Sequence, residues 1–104
     1  MLNSKERAYL RGMASTADTL FPIGKDGVTE NLVAQVDDAL RARDLIKLRV
    51  LETAMLTPKE AAAILAEETN SEVVTTIGTK LVLYRPNPNK HLHGLDQNQM
   101  LVII

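Results

Sequence analysis

The sequence predicts an α/β domain, a mixed four-stranded sheet with helices packed on it, in the order α-β-α-β-α-β-β. Three patterns carry that prediction. Helical and alternating stretches follow one another along the chain, and strand-helix-strand units favour right-handed parallel crossovers. The second and third helices are announced by cap residues and, in the second, by a clean apolar face. A Gly-Thr pair between the last two β-rich runs reads as a tight hairpin.

Leu2 to Ser15 reads as the first helix, with Ser4 as N-cap and good helix formers behind it. Tyr9, Leu10 and Met13 sit at helical spacing and are expected to face the core, with Lys5, Arg7 and Arg11 off that stripe. Gly12 costs this helix about 1 kcal/mol relative to Ala. Thr19 to Ile23 is a short apolar stretch, and Pro22 confines a strand there to a sheet edge. Gly24-Lys25-Asp26-Gly27 breaks regular structure, and Thr29 caps a second helix running to about Arg43. Leu32, Val33, Val36, Ala39 and Leu40 give that helix one apolar face.

From Asp44 to Glu52 the period becomes two. Ile46, Leu48 and Val50 alternate with Lys47 and Arg49, which predicts a strand with one buried face and one wet, basic face. Thr57, Pro58 and Glu60 supply an N-cap, a first-turn proline and a capping box for a third helix through Ala61, Ile64 and Leu65 to about Thr69. Asn70 suits a left-handed end. Glu72 to Ile77 and Lys80 to Arg85 are the last two strands, joined at Gly78-Thr79. After Pro86-Asn87-Pro88-Asn89 the chain turns polar and aperiodic until the apolar, β-prone Met100 to Ile104. The expected organisation is therefore a domain over residues 1–86 and a C-terminal tail over 87–104, which could add a strand.

Composition limits the function classes. The chain has 104 residues, 45% hydrophobic and 24% charged, the balance of one ordinary globular core. It has no cysteine, so disulfides, a thiolate nucleophile and a Cys-based zinc site are excluded. No apolar run approaches the roughly 20 residues that span a bilayer, and the charged N-terminus does not read as a signal peptide, so a soluble cytoplasmic protein is expected. Serine occurs only at Ser4, Ser15 and Ser71, with no nucleophile-elbow pattern, and the adjacent carboxylates Asp37-Asp38 and Glu67-Glu68 point in different directions on helices. No enzyme is expected. His91 and His93 are too few ligands for zinc, so no metal or other cofactor is expected either. With 2 Tyr and 1 Phe and no Trp, a base-stacking platform is not expected, and Tyr84 reads as a core or sheet-surface aromatic. Lys plus Arg number 12 against 13 acids, so total charge does not announce a nucleic acid.

Gly24-Lys25-Asp26-Gly27 holds the most information. Glycines allow close backbone approach, the next helix points free N–H groups and partial positive charge at the loop, and Lys25 adds a mobile cation. By itself the pattern also fits an ordinary turn before a helix. It is neither a P-loop nor a Rossmann fingerprint. The context is more specific. Tyr9-Leu10-Arg11, Phe21-Pro22-Ile23-Gly24-Lys25-Asp26-Gly27-Val28-Thr29, Asp44-Leu45-Ile46-Lys47-Leu48-Arg49-Val50 and Ile77-Gly78-Thr79-Lys80-Leu81-Val82-Leu83-Tyr84-Arg85, in that order, resemble the CRM domain. This is the chloroplast RNA splicing and ribosome maturation family, and its single-domain bacterial branch, often called YhbY, is the nearest likeness. The resemblance covers about residues 3 to 86.

The resemblance implies a fold similar to the C-terminal domain of bacterial translation initiation factor three. It implies RNA binding, with ribosomal RNA or a precursor of the large ribosomal subunit as partner. Carried over by position, Gly24, Lys25, Asp26 and Gly27 are the RNA-contacting loop. Arg11 lies on the basic face of the first helix, Lys47 and Arg49 match the basic strand, and Arg85 closes the Leu-Tyr-Arg motif. Two departures stand out, since family members are usually basic and Asp26 puts a carboxylate inside the loop. Modest, salt-sensitive binding is the expectation. The alternative is a protein-interaction module with weakened RNA affinity, in which the apolar C-terminal end pairs with a neighbour's sheet edge to make a homo-oligomer.

Overall fold

The computed structural model describes residues 2–86, and the expected tail strand, its homo-oligomer contact and the His91-His93 pair lie outside them. Seven main elements follow in the predicted order: α1 (Ser4–Ser15), β1 (Pro22–Ile23), α2 (Glu30–Arg43), β2 (Leu45–Val50), α3 (Pro58–Thr69), β3 (Glu72–Ile77) and β4 (Lys80–Tyr84). The sheet order is β1-β2-β4-β3. β1 runs parallel to β2, while β4 is antiparallel to both β2 and β3. The sheet is mixed, and β1 with its Pro22 is an edge, as a residue without an N–H requires.

Helix starts follow their cap chemistry. Thr29 accepts from the Leu32 N–H, and Thr57 with Glu60 forms a complete capping box. At α1 the cap is Asn3 instead of Ser4, because the Asn3 side chain takes the Glu6 N–H while the Glu6 carboxylate returns to the Asn3 N–H. An acid three residues on selects the cap position, and only Asn3 has one. α1 continues through Gly12 to Ser15. α3 ends on Asn70 with φ 56°, the left-handed end its sequence suits. The sequence does not announce the short 3₁₀ turn Glu52–Ala54, followed by Met55 at φ 60°.

Two apolar layers hold the sheet between helices. On one face α2 and α3 cover Ile46, Leu48, Val50, Leu81 and Leu83, and Leu48, Leu81 and Leu83 are fully buried there with Leu40 and Leu65. Each such leucine contributes roughly 1.5–3 kcal/mol. On the other face α1 sets Leu10 and Ala14 against Val74 and Val82, with Leu2, Leu45 and Tyr84 around them. Val74 alternates from Val73 onto the α1 side, and a register shift there makes a β-bulge, so that Thr75 instead of Val74 pairs with Val82. The stripe expected on α1 is corrected here. Leu10 is buried, but Tyr9 is 70% and Met13 50% exposed. A single helix on this face buries the narrow row Leu10–Ala14, and small Ala14 lets it sit close.

Candidate nucleic-acid interface

The Gly-x-x-Gly segment is a β-turn at one end of the sheet. The Gly27 N–H donates to the Gly24 carbonyl at 2.9 Å, which leaves Lys25 and Asp26 exposed at the two central positions. The glycines do different work. Gly27 has φ +68°, and a Cβ there would meet Leu56 Cδ2 at 3.5 Å. Gly24 needs no left-handed backbone, and nothing lies within 4 Å of where its Cβ would be. Gly27 therefore shapes the turn, while Gly24 leaves its surface open to close approach.

The turn leads through Val28 and Thr29 into α2. Thr29 Oγ1 takes the Leu32 N–H at 3.1 Å and the Thr29 carbonyl takes the Val33 N–H, leaving the N–H groups of Glu30 and Asn31 as first-turn donors with no intrahelical partner. Asp26 and Glu30, both exposed, set negative charge beside those donors. An anion held here needs more cations than Lys25 alone.

The sheet supplies them. Ile23 pairs with Val50, and its carbonyl accepts from the Leu51 N–H at 3.0 Å, while the Val50 N–H donates to Thr79 at 2.7 Å. The turn and the β3–β4 hairpin thus bracket the same end of β2. Next to that end, Arg49 faces Lys80 directly across the β2–β4 ladder, and both are exposed. Among the described residues neither has an ion pair. Like charges placed opposite each other destabilise a bare sheet, and an anion bridging them relieves that. Lys80 is absent from the set read from the sequence, because its neighbour on the next strand is set by sheet order and register.

The other basic residues singled out in the sequence divide. Arg11 is exposed on α1, one turn before Ala14. Lys47 is half-buried, and its Nζ donates to the carbonyls of Ala14 at 3.0 Å and Ala17 at 3.2 Å. It closes the C-terminus of α1, where a cation is favoured. The alternation along β2 predicts a wet face at Lys47, but α1 covers the middle of that face. Arg85 is a clamp. Its Nη1 donates to Asp37 Oδ1 at 2.6 Å and to the Thr69 carbonyl at 2.7 Å, and its Nη2 donates to the Asp37 carbonyl at 3.1 Å. The Arg85 hydrogen bond holds the Asp37 carboxyl below its ordinary pKa despite some desolvation, with the charges of Arg85 and Arg41 adding to it. Burial pushes the Tyr84 hydroxyl up, and the charges of Asp44 and Glu6 add to that. Of these cations, Lys25, Arg49, Lys80 and Arg11 stay open, while Lys47 and Arg85 are engaged.

Acids gather on the opposite face. α2 and α3 carry Glu30, Asp37, Asp38, Glu60, Glu67 and Glu68 against Arg41, Arg43 and Lys59, whereas Glu6 is the one acid of α1 and is engaged in its cap.

The profile of the CRS1 / YhbY (CRM) domain matches residues 2–85. The chain is 38% identical over 85 residues to a probable RNA-binding protein, YqeI, of Bacillus subtilis, covering 82% of this chain and 88% of that one. It is 34% identical over 86 residues to an RNA-binding protein of Haemophilus influenzae, covering 83% and 87%. Its fold is similar to the solution structure of a hypothetical Staphylococcus aureus protein described as a candidate RNA binder, with a TM-score of 0.71 and 39% identity over 92% of this chain and 100% of that one.

Proposed function

Because the chain belongs to the CRS1 / YhbY (CRM) domain family, we propose that it is an RNA-binding protein that assists assembly of the large ribosomal subunit in the cytoplasm. Large-subunit ribosomal RNA, free or in a pre-ribosomal particle, is its partner. The observation that carries this reading is the shared end of the sheet, where the Gly24–Gly27 turn, the α2 N-terminus and the facing cations Arg49 and Lys80 meet. The protein acts by binding, with no bond made or broken. One phosphate approaches over Gly24 to the exposed backbone and Lys25, and the neighbouring phosphates meet Arg49 and Lys80, with Arg11 further along α1. Such a set gives an affinity that falls steeply with salt, since each phosphate contact releases a counterion.

A protein partner is the second reading. One feature favours it, a groove of about 250 Å³ between α2 and α3, in which Val28, Val33 and Ile64 are rimmed by Glu30 and Glu68.

The test is binding to large-subunit ribosomal RNA fragments across a salt series. The wild type is compared with Lys25→Ala and with Arg49→Ala/Lys80→Ala, whose exposed side chains leave the core intact. Each lost phosphate contact is expected to flatten the slope of log affinity against log salt by about 0.7–0.9. Absence of wild-type binding at low salt refutes the proposal. Binding that both variants retain unchanged moves the site off this end of the sheet.

A further inference from the structure

The chain's two tyrosines come together at the other end of β2. Tyr84 pairs with Leu45, at the strand end opposite Val50. Between the first half of α1 and the end of β4 lies an open cavity of about 490 Å³, lined by Leu2, Lys5, Glu6, Tyr9, Leu10 and Tyr84. Tyr9 is exposed although it lies one residue from buried Leu10, and half-buried Tyr84 forms part of the apolar layer beneath α1. Among the described residues nothing covers this slot.

Resting on the RNA reading above, we infer that this slot takes an unpaired base of the bound RNA. Aromatic rings and Leu2 offer a flat apolar surface, which suits the face of any base. Lys5 stands one helical turn from Tyr9, placed to meet the phosphate of the same nucleotide. Glu6 is turned toward its own helix start, where its carboxylate accepts the Asn3 N–H at 3.0 Å. The Tyr84 hydroxyl keeps its proton, since burial and the charges of Asp44 and Glu6 raise its pKa. It can therefore donate to a carbonyl or ring nitrogen of the base. The slot also continues the cationic path. β2 spans roughly 17 Å from Leu45 to Val50, and Arg11 follows Leu10 on the helix above it. A single strand held at the Gly24–Gly27 end and by Arg49 and Lys80 thus has about that distance to span before it reaches the tyrosines. Few aromatics in a sequence argue against stacking only while their positions are unknown. Here two of the three are neighbours in space.

The experiment uses the full chain and a ribosomal RNA hairpin with a short single-stranded flank, against the same hairpin whose flank keeps every phosphate but carries abasic riboses. Tyr9→Ala is the variant, because Tyr9 is 70% exposed and its loss leaves the core intact. The wild type should prefer the base-bearing RNA by about tenfold, and Tyr9→Ala should lose that preference while keeping the wild-type salt slope. With 2 Tyr and no Trp in the chain, tyrosine emission reports the slot alone, and it should be quenched only by the base-bearing RNA. Wild-type binding without base preference overturns the slot and leaves the RNA reading standing. A Tyr9→Ala variant that keeps the preference overturns it as well, and an apolar side chain of a protein partner becomes the occupant to seek. No wild-type binding to either RNA at low salt refutes the RNA reading and the slot with it.

Discussion

Replacing Arg85 with Ala tests whether this residue joins the fold or the ligand. Its guanidinium ties the end of β4 to α2, through the Asp37 side chain and carbonyl, and to the last residue of α3, through the Thr69 carbonyl. A buried hydrogen bond to a charged group is worth about 1.5–3 kcal/mol. An exposed ion pair is worth less than about 1 kcal/mol. The Arg85 and Asp37 side chains are 23% and 33% exposed, between those limits. Asp37 keeps Arg41 as a second partner, which limits the loss, whereas the Thr69 carbonyl loses its guanidinium donor. The expected destabilisation is about 2 kcal/mol. For a domain of this size that lowers Tm by roughly 8–16 °C. Arg85→Lys should recover part of the loss, because an ammonium carries the charge without the planar fork.

The pH dependence of this variant has a definite sign. Arg85 holds the Asp37 carboxyl below its ordinary pKa. A lowered native pKa contributes stability that is fully present above the unfolded value and is lost as pH falls through the native one. The Tm gap between wild type and Arg85→Ala should therefore be full at pH 7 and narrow below about pH 4. It should not close, because the Thr69 carbonyl accepts from Arg85 at any pH. Circular dichroism melts at several pH values measure it. Equal Tm values at pH 7, or a gap that widens in acid, refute the clamp. At a temperature where both proteins are folded, RNA affinity should differ by less than about twofold, since the guanidinium is already engaged.

Lys47→Ala removes two hydrogen bonds at the C-terminus of α1 and should cost about 1 kcal/mol, read as a Tm lower by roughly 4–8 °C. Gly27→Ala forces an L residue to φ +68°, at about 1–2 kcal/mol, and unfolding midpoints in urea should fall accordingly. Gly24→Ala meets open space and should leave those midpoints nearly unchanged, so any loss of RNA affinity in that variant belongs to the bound state.

The elements with self-contained signals were legible in the sequence. Thr57, Pro58, Glu60 and Asn70 mark both ends of α3, and the alternation Ile46, Leu48, Val50 marks β2 and its buried face. Pro22 marks an edge strand. Gly24-Lys25-Asp26-Gly27 is visible as a break before a helix, and its turn depends on local bonds alone. The stripe of α1 was less legible. The sets Tyr9-Leu10-Met13 and Leu10-Ala14 differ by a modest rotation of the helix, and contact with β2 and β3 chooses between them. The bulge at Val74 shifts one strand's side chains by a residue, which no local period reveals.

What the sequence alone determined is what rests on short-range chemistry: caps, turn, periods and the order of elements, each decided within a few residues. The tertiary structure decided which cations stay open and which are spent. Lys47 and Arg49 look alike on one alternating strand, yet α1 turns Lys47 into its cap while Arg49 meets Lys80 in the open. Arg85 follows Tyr84 in the chain, yet one enters a clamp between two helices and the other lines a slot with Tyr9. Those outcomes depend on partners up to 48 positions away in the chain. The fate of a charged side chain is settled by the carbonyls, carboxylates and solvent that packing brings to it, and packing is the step that local sequence does not contain.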